Sequence, residues 1–249
     1  MATDDSKDNM LRSDQWDAFQ KTETDQKRQI PPPPRQKPHP DNATLIDLVP
    51  PENLALGEMS VMEAIRNRRS RRKYTGAPMT PEELAYLLWV TQGISRPFPG
   101  DIGALRTAPS GGGRHPFETY LFINHVIGFE SGLYRYLPLD HKLCFLYSDA
   151  ELIDRISAAF YGQYISNCTV AFIWTAIPYR TEWRYGILSP KLIAIDVGHL
   201  CQNLYLAVES LSAGMCAIAA YDQDKIDTLL DVDGKEEFAV YLATVGKIN

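Results

Sequence analysis

The sequence predicts an α+β fold, and three observations carry that prediction. Helical and strand-like hydrophobic patterns interleave along most of the 249 residues. A hairpin pattern from Leu133 to Tyr147 breaks the strand–helix–strand alternation that a parallel sheet requires. A long, largely apolar stretch from Pro190 to Ser212 has helical length and needs cover on almost every side. A single domain can supply part of that cover, and a second copy of the chain supplies it more easily. The long helix is therefore expected at the centre of a homodimer.

Residues 1–45 stand apart. They are polar, lack a hydrophobic period, and contain Pro31-Pro32-Pro33-Pro34 with Pro38 and Pro40. This composition predicts a flexible, Pro-rich arm, disordered or extended, ahead of one domain over 46–249. Ser60 and Glu63 form a capping box for a helix running towards Arg68. Thr80-Pro81-Glu82-Glu83 places a cap, a first-turn proline and a capping-box glutamate in register. Leu84, Leu87, Leu88 and Thr91 then share one face, and Gly93 stops the helix.

The Gly- and Pro-rich residues 94–116 predict a long ordered loop. Phe117 to Asn124 reads as a strand, and the hairpin that follows turns near Pro138-Leu139-Asp140. Ser148 and Glu151 are expected to start a capped helix. Cys168 to Ile177 is an apolar strand, and the long helix should end at Gly214. Met215 to Ala220 is short and apolar, Asp222 can cap a small helix, and Phe238 to Val245 closes the chain as a strand.

Composition narrows the function. A net charge of −6 argues against a general nucleic-acid binder. No apolar run approaches the ~18–20 residues of a membrane span, and the polar start is no signal peptide. Cys144, Cys168, Cys201 and Cys216 are widely spaced within apolar runs, as reduced core thiols would be. A cytoplasmic protein is expected, without nucleic-acid or membrane partners.

Against the acidic balance, Arg68-Arg69-Ser70-Arg71-Arg72-Lys73-Tyr74 gathers five cations around one serine. Such a run is either a solvated basic face, a nucleic-acid or localisation patch, or a cradle for an anion such as phosphate. Arg106-Thr107-Ala108-Pro109-Ser110-Gly111-Gly112-Gly113 is either a flexible turn or a loop whose backbone can approach a flat or anionic ligand. The small residues from Met215 to Ala220 suit tight strand packing or a ring pressed on the backbone. Asp196, His199 and Asn203 share one helix face. They lack further ligands for a metal, and read best as buried polar groups satisfied across a helix interface.

The order of these motifs is more specific than any one of them. Arg-Arg-Ser-x-Arg-x-Tyr precedes a Thr-Pro-Glu-Glu-Leu helix, then Arg-Thr-Ala-Pro-Ser-Gly-Gly, Gly132-Leu133-Tyr134-Arg135-Tyr136, and Asp196-x-Gly-His-x-x-Gln-Asn-Leu. Over residues 55–247 this order resembles the nitroreductase-like flavoproteins, and within them the SagB-type branch, which includes azoline dehydrogenases.

The resemblance implies a three-layer fold, a central mostly antiparallel sheet flanked by helices, a homodimer, and FMN bound between subunits. It implies that Arg68, Arg69, Ser70 and Arg72 hold the FMN phosphate and the pyrimidine side of the ring. Pro109, Ser110 and Gly111 match a loop supplied by the partner subunit, and Ala219 and Ala220 match the stretch facing flavin N5. Lys247 sits where a late basic residue reaches the phosphate.

The implied reaction is ping-pong transfer of hydride from NAD(P)H through flavin to a small electron acceptor such as a nitroaromatic or quinone. Arg72 would stabilise the negative charge of the reduced ring. The alternatives are azoline oxidation on a modified peptide and flavin binding without turnover. In the azoline branch a Lys-Tyr pair follows a tryptophan, whereas here the stretch is Trp183-Arg184-Tyr185. Arg184 and Tyr185 are the candidate catalytic residues. Arginine stays protonated and is a poor base, while Tyr185 can donate a proton.

Overall fold

Two capping boxes start the first helices of the body. Ser60 accepts from the Glu63 amide and opens α2 (Val61–Asn67), and Thr80 does the same through Glu83 for α3 (Pro81–Gln92). Both follow from residues three apart, so they form before any packing does. The computed structural model describes residues 12–97 and 104–249. The first 11 residues of the expected arm, and 98–103 of the expected loop, lie outside the described residues.

The strands are β1 (Leu45–Asp47), β2 (Ile94–Pro97), β3 (Ala104–Arg106), β4 (Phe117–Ile123), β5 (Gly132–Leu137), β6 (Lys142–Tyr147), β7 (Val170–Ala176), β8 (Ala213–Ile218) and β9 (Phe238–Lys247). Seven of them build one sheet in the order β1-β6-β5-β4-β7-β9-β8. Each adjacency in that sheet is antiparallel. β2 and β3 pair separately within the segment expected to be loop.

α3 and the long helix α6 (Ser189–Glu209) cover one face of the large sheet, burying Leu84, Leu87, Leu88, Leu200 and Leu204 against Phe172 and Trp174. α4 (Leu152–Ala159) and α7 (Gln223–Leu230) cover the other through Ile156, Ile226 and Leu230. The result is the three-layer α+β architecture. Among the described residues no helix is long and apolar enough to cross a membrane.

Several expectations change. α4 has Glu151 at its N-cap without a side-chain bond, because Ser148 instead donates to the Ser131 carbonyl at 2.6 Å. α6 stops at Glu209, and the turn is made by Ser212 at φ 48°, which leaves Gly214 inside β8. The sequence reading did not foresee α5 (Tyr179–Tyr185) or α1 (Trp16–Lys21).

The described part of the arm differs most from expectation. Its prolines do keep residues 31–40 free of helix and strand, but buried charges beneath them hold the segment in place. Glu118 on β4 accepts from the Lys37 amide at 2.8 Å and from Arg180 at 2.5 Å, with Arg135 at 3.9 Å. Glu237 takes the Lys37 ammonium at 2.6 Å, together with the Tyr120 and Thr175 hydroxyls. In return the arm's carbonyls serve two buried guanidiniums, Arg106 at Arg35 and Arg135 at Pro38. Composition alone could not reveal partners some seventy to two hundred positions away.

Candidate functional site

The cation segment leaves α2 at Arg68 and runs beside the edge strand β8. The Arg71 amide donates to the Met215 carbonyl at 2.8 Å, and Ser70 bridges Met215 in parallel. Tyr74 pins the far end. Its hydroxyl lies 3.0 Å from the Arg71 and Thr244 carbonyls, and its ring lies on Gly246. A Cβ at Gly246 would meet that ring at 2.5 Å, so glycine is what lets the segment approach β9.

The four arginines of the run separate by environment. Arg71 pairs with Glu209 at 3.0 Å, and the Arg69 amide also donates to Glu209. Arg68, Arg69 and Arg72 have no ion pair among the described residues. The Arg68 guanidinium instead lies over the Tyr205 ring at 5.3 Å, and Arg72 over Tyr164 at 5.9 Å. Cys216 first and Tyr164 second raise the pKa of the Arg72 guanidinium, which places it against β8. Tyr205, on α6, ties the cluster together, lying 2.9 Å from the Ser70 hydroxyl and accepting from the Ala217 amide at 3.1 Å. Sequence reading missed Tyr205, because an aromatic on an apolar helix carries no local sign of a polar role.

Ala219 and Ala220 follow β8 and are exposed. Ala219 borders a cavity of about 1190 Å³ with Val197 and Gly198 of α6, and Phe238 and Tyr241 of β9. Three unpaired guanidiniums, a hydroxyl and an exposed stretch without side-chain bulk form a donor set that fits a phosphate ester bearing a flat ring. Lys247 stands outside this set: its ammonium pairs with Glu83 and donates to the Leu211 carbonyl.

A second cluster forms around the glycine loop. Asp196, buried on α6, accepts from the Ser110 hydroxyl at 2.6 Å and the Gly111 amide at 3.0 Å. Burial raises its pKa, and these two bonds oppose that shift. The Gly111 and Gly113 amides are therefore engaged internally, rather than forming an open anion nest. Pro109 is exposed. Arg106, grouped with this loop by sequence, points away to Gln92 and the Arg35 carbonyl. Asn203 donates to the Val90 carbonyl, whereas the His199 Nδ1 is buried without a partner among the described residues.

Arg184 and Tyr185, at the end of α5, belong to this second cluster. Gly112, at φ 59°, lies so close that a Cβ there would sit 2.6 Å from the Tyr185 hydroxyl. The two clusters do not meet within one chain. Their anchors on α6, Asp196 and Tyr205, are nine residues apart, about 14 Å along the axis and on opposite sides of the helix.

His115, directly after the loop, gives a pH prediction. Burial first, then Arg106, Arg35 and Arg114, lower its pKa from 6.5 to about 3. Between those values the unfolded chain binds a proton that the folded one refuses. Stability should therefore fall as pH drops below 6.5, by up to about 1.4 kcal/mol per unit from this group. Denaturant titrations of wild type and His115→Gln between pH 7 and 5 check this, and the variant's slope should be shallower by one proton.

Comparison with known proteins follows the same outline. The nitroreductase family pattern matches residues 65–247. A Methanocaldococcus jannaschii protein named as a nitroreductase is 28% identical over 190 residues, 76% of this chain and 92% of its own. The trifolitoxin-processing protein TfxB of Rhizobium leguminosarum bv. trifolii is 26% identical over 133 residues, 51% of this chain and 36% of TfxB. A solved Ralstonia eutropha structure, also named as a nitroreductase, aligns with a TM-score of 0.68 at 22% identity, covering 88% of this chain and 99% of its own. At that identity the structural likeness establishes the fold.

Proposed function

Because this chain belongs to the nitroreductase family of oxidoreductases, whose members generally use flavins, we propose that it is an FMN-dependent NAD(P)H oxidoreductase. In this reading it passes hydride from NAD(P)H to a small electrophile, a nitroaromatic or a quinone, in ping-pong fashion. The observation that carries it is the group of unpaired guanidiniums of Arg68, Arg69 and Arg72 beside the small-residue end of β8. FMN, when bound there, supplies the two-electron chemistry. Arg68, Arg69 and Ser70 hold the phosphate, and Arg72 offsets negative charge on the pyrimidine side. Ala219 and Ala220 keep the backbone accessible to the ring. Lys247 has no role in this reading, since Glu83 holds its ammonium.

The active form is a homodimer in this proposal. Arg68–Arg72 of one copy then meet Pro109, Ser110 and Gly111 of the other, because the two clusters face away from each other on α6. Exposed Ala194, Ile195 and Gly198 give that helix a ridge on which a second copy can pack closely. Steady-state rates with NADPH and p-benzoquinone test the assignment. Parallel double-reciprocal lines are expected, and intersecting lines would contradict the ping-pong route.

A second reading, azoline oxidation on a modified peptide, is favoured by the similarity to a trifolitoxin-processing protein, although Arg184 stands where that branch carries lysine. Tyr185→Phe separates the two. Quinone reduction should change less than about twofold, whereas oxidation that relies on Tyr185 for proton transfer should fall about 10²-fold or more.

A further inference from the structure

The amino-terminal arm reaches the second cluster from behind. Gln26 donates to the Trp183 carbonyl at 2.9 Å, and Trp183 Nε1 donates to the Ile30 carbonyl at 2.8 Å. The Tyr179 hydroxyl donates to Asp25 at 2.8 Å, so both ends of α5 are tied to the arm. Along this path α1 places Phe19 against Tyr185, with ring centroids 6.2 Å apart and planes tilted by 30°. Phe19 is itself held. Trp16 meets its ring edge-on at 5.6 Å, and the Lys27 ammonium lies 5.9 Å above it while donating to the Gln20 and Thr22 carbonyls.

We propose that Phe19 is a positioning residue that fixes the Tyr185 ring against the glycine loop, and that the space beside this ring is the slot that acceptors enter. The inference rests on the oxidoreductase reading and deepens it. The family pattern begins at residue 65, so the arm is a feature of this chain outside that pattern. Tyr185 is confined on two sides, by Gly112 and by Phe19. Gly112 has no side chain to yield. Removing Phe19 therefore opens the direction in which the Tyr185 ring can move, which widens the slot while leaving every side chain of the cation segment in place.

The test compares wild type, Phe19→Ala and Phe19→Tyr as full-length holoenzyme, with p-benzoquinone and menadione as small and bulky acceptors. In Phe19→Ala the kcat/KM ratio of menadione to p-benzoquinone should rise about tenfold, through KM. FMN content and kcat with p-benzoquinone should stay unchanged, and Phe19→Tyr should restore the wild-type ratio. In parallel, 3-fluorotyrosine at position 185 should show a ¹⁹F shift in Phe19→Ala alone. An unchanged acceptor ratio, or loss of both acceptors together with FMN, would overturn the proposal. A wild-type protein that turns over no acceptor overturns the oxidoreductase reading and the slot with it. An unmoved ¹⁹F signal overturns the Phe19–Tyr185 contact whatever the turnover shows.

Discussion

Arg68→Ala should give a folded protein that has lost most of its FMN. Arg68 lies over Tyr205 and makes no ion pair among the described residues, so its removal breaks no bond that holds α2 to β8. Those bonds come from the Arg71 amide, the Ser70 bridge and Tyr74. A half-exposed side chain of this kind costs about 0.5 kcal/mol or less of stability. A charge-assisted bond to phosphate contributes roughly 1.5–3 kcal/mol, so FMN should bind about 10- to 150-fold more weakly. Arg72→Ala should weaken it further, and the double variant should purify colourless with an unchanged far-ultraviolet circular dichroism spectrum. Flavin fluorescence titration measures the affinities. Full FMN occupancy in Arg68→Ala would sink the phosphate assignment.

Glu118→Gln should produce the largest loss of stability. Glu118 is buried on β4 beside Arg180, Arg135 and the Lys37 amide. The glutamine can still accept one hydrogen bond, but it leaves two buried guanidiniums without their counter-charge. Breaking a buried pair in this way costs about 3–5 kcal/mol. For a chain of this length that is a fall in Tm of about 6–20 °C. The arm should also loosen, because its Lys37 and Pro38 attachments are organised around the same charges. Faster proteolysis within residues 12–45 is expected alongside the lower Tm. A Tm within about 2 °C of wild type would show that the cluster is neutralised in some other way.

How much was legible in the sequence depended on range. The capping boxes at Ser60 and Thr80 are contained within four residues each, and both formed as read. The hairpin from β5 to β6 and the apolar strands β4 and β7 were equally local. The family was legible because several motifs recur in one order, a signal that no single motif carried. The arm was not, because Glu118 on β4 and Glu237 just before β9, which hold it, are buried and lie far along the chain. Nor was the end of α6 legible. Gly214 resembles a stop signal, but its place in β8 depends on packing that the helix itself does not encode. At the candidate site, cation-rich and glycine-rich segments were visible as composition. Only the fold divides the cations into Arg71, neutralised by Glu209, and the three guanidiniums left free of ion pairs. Only the fold directs Arg106 away from the glycine loop, and places Phe19 against Tyr185.

The central claim is that this chain is a flavin-dependent reductase, and an anaerobic titration tests it most directly. The purified protein would be followed by its visible spectrum during addition of NADPH, then NADH, then p-benzoquinone. The account predicts a yellow protein whose absorbance near the flavin maximum bleaches with a reduced nicotinamide and recovers with the quinone. A protein that stays colourless after incubation with FMN would contradict it.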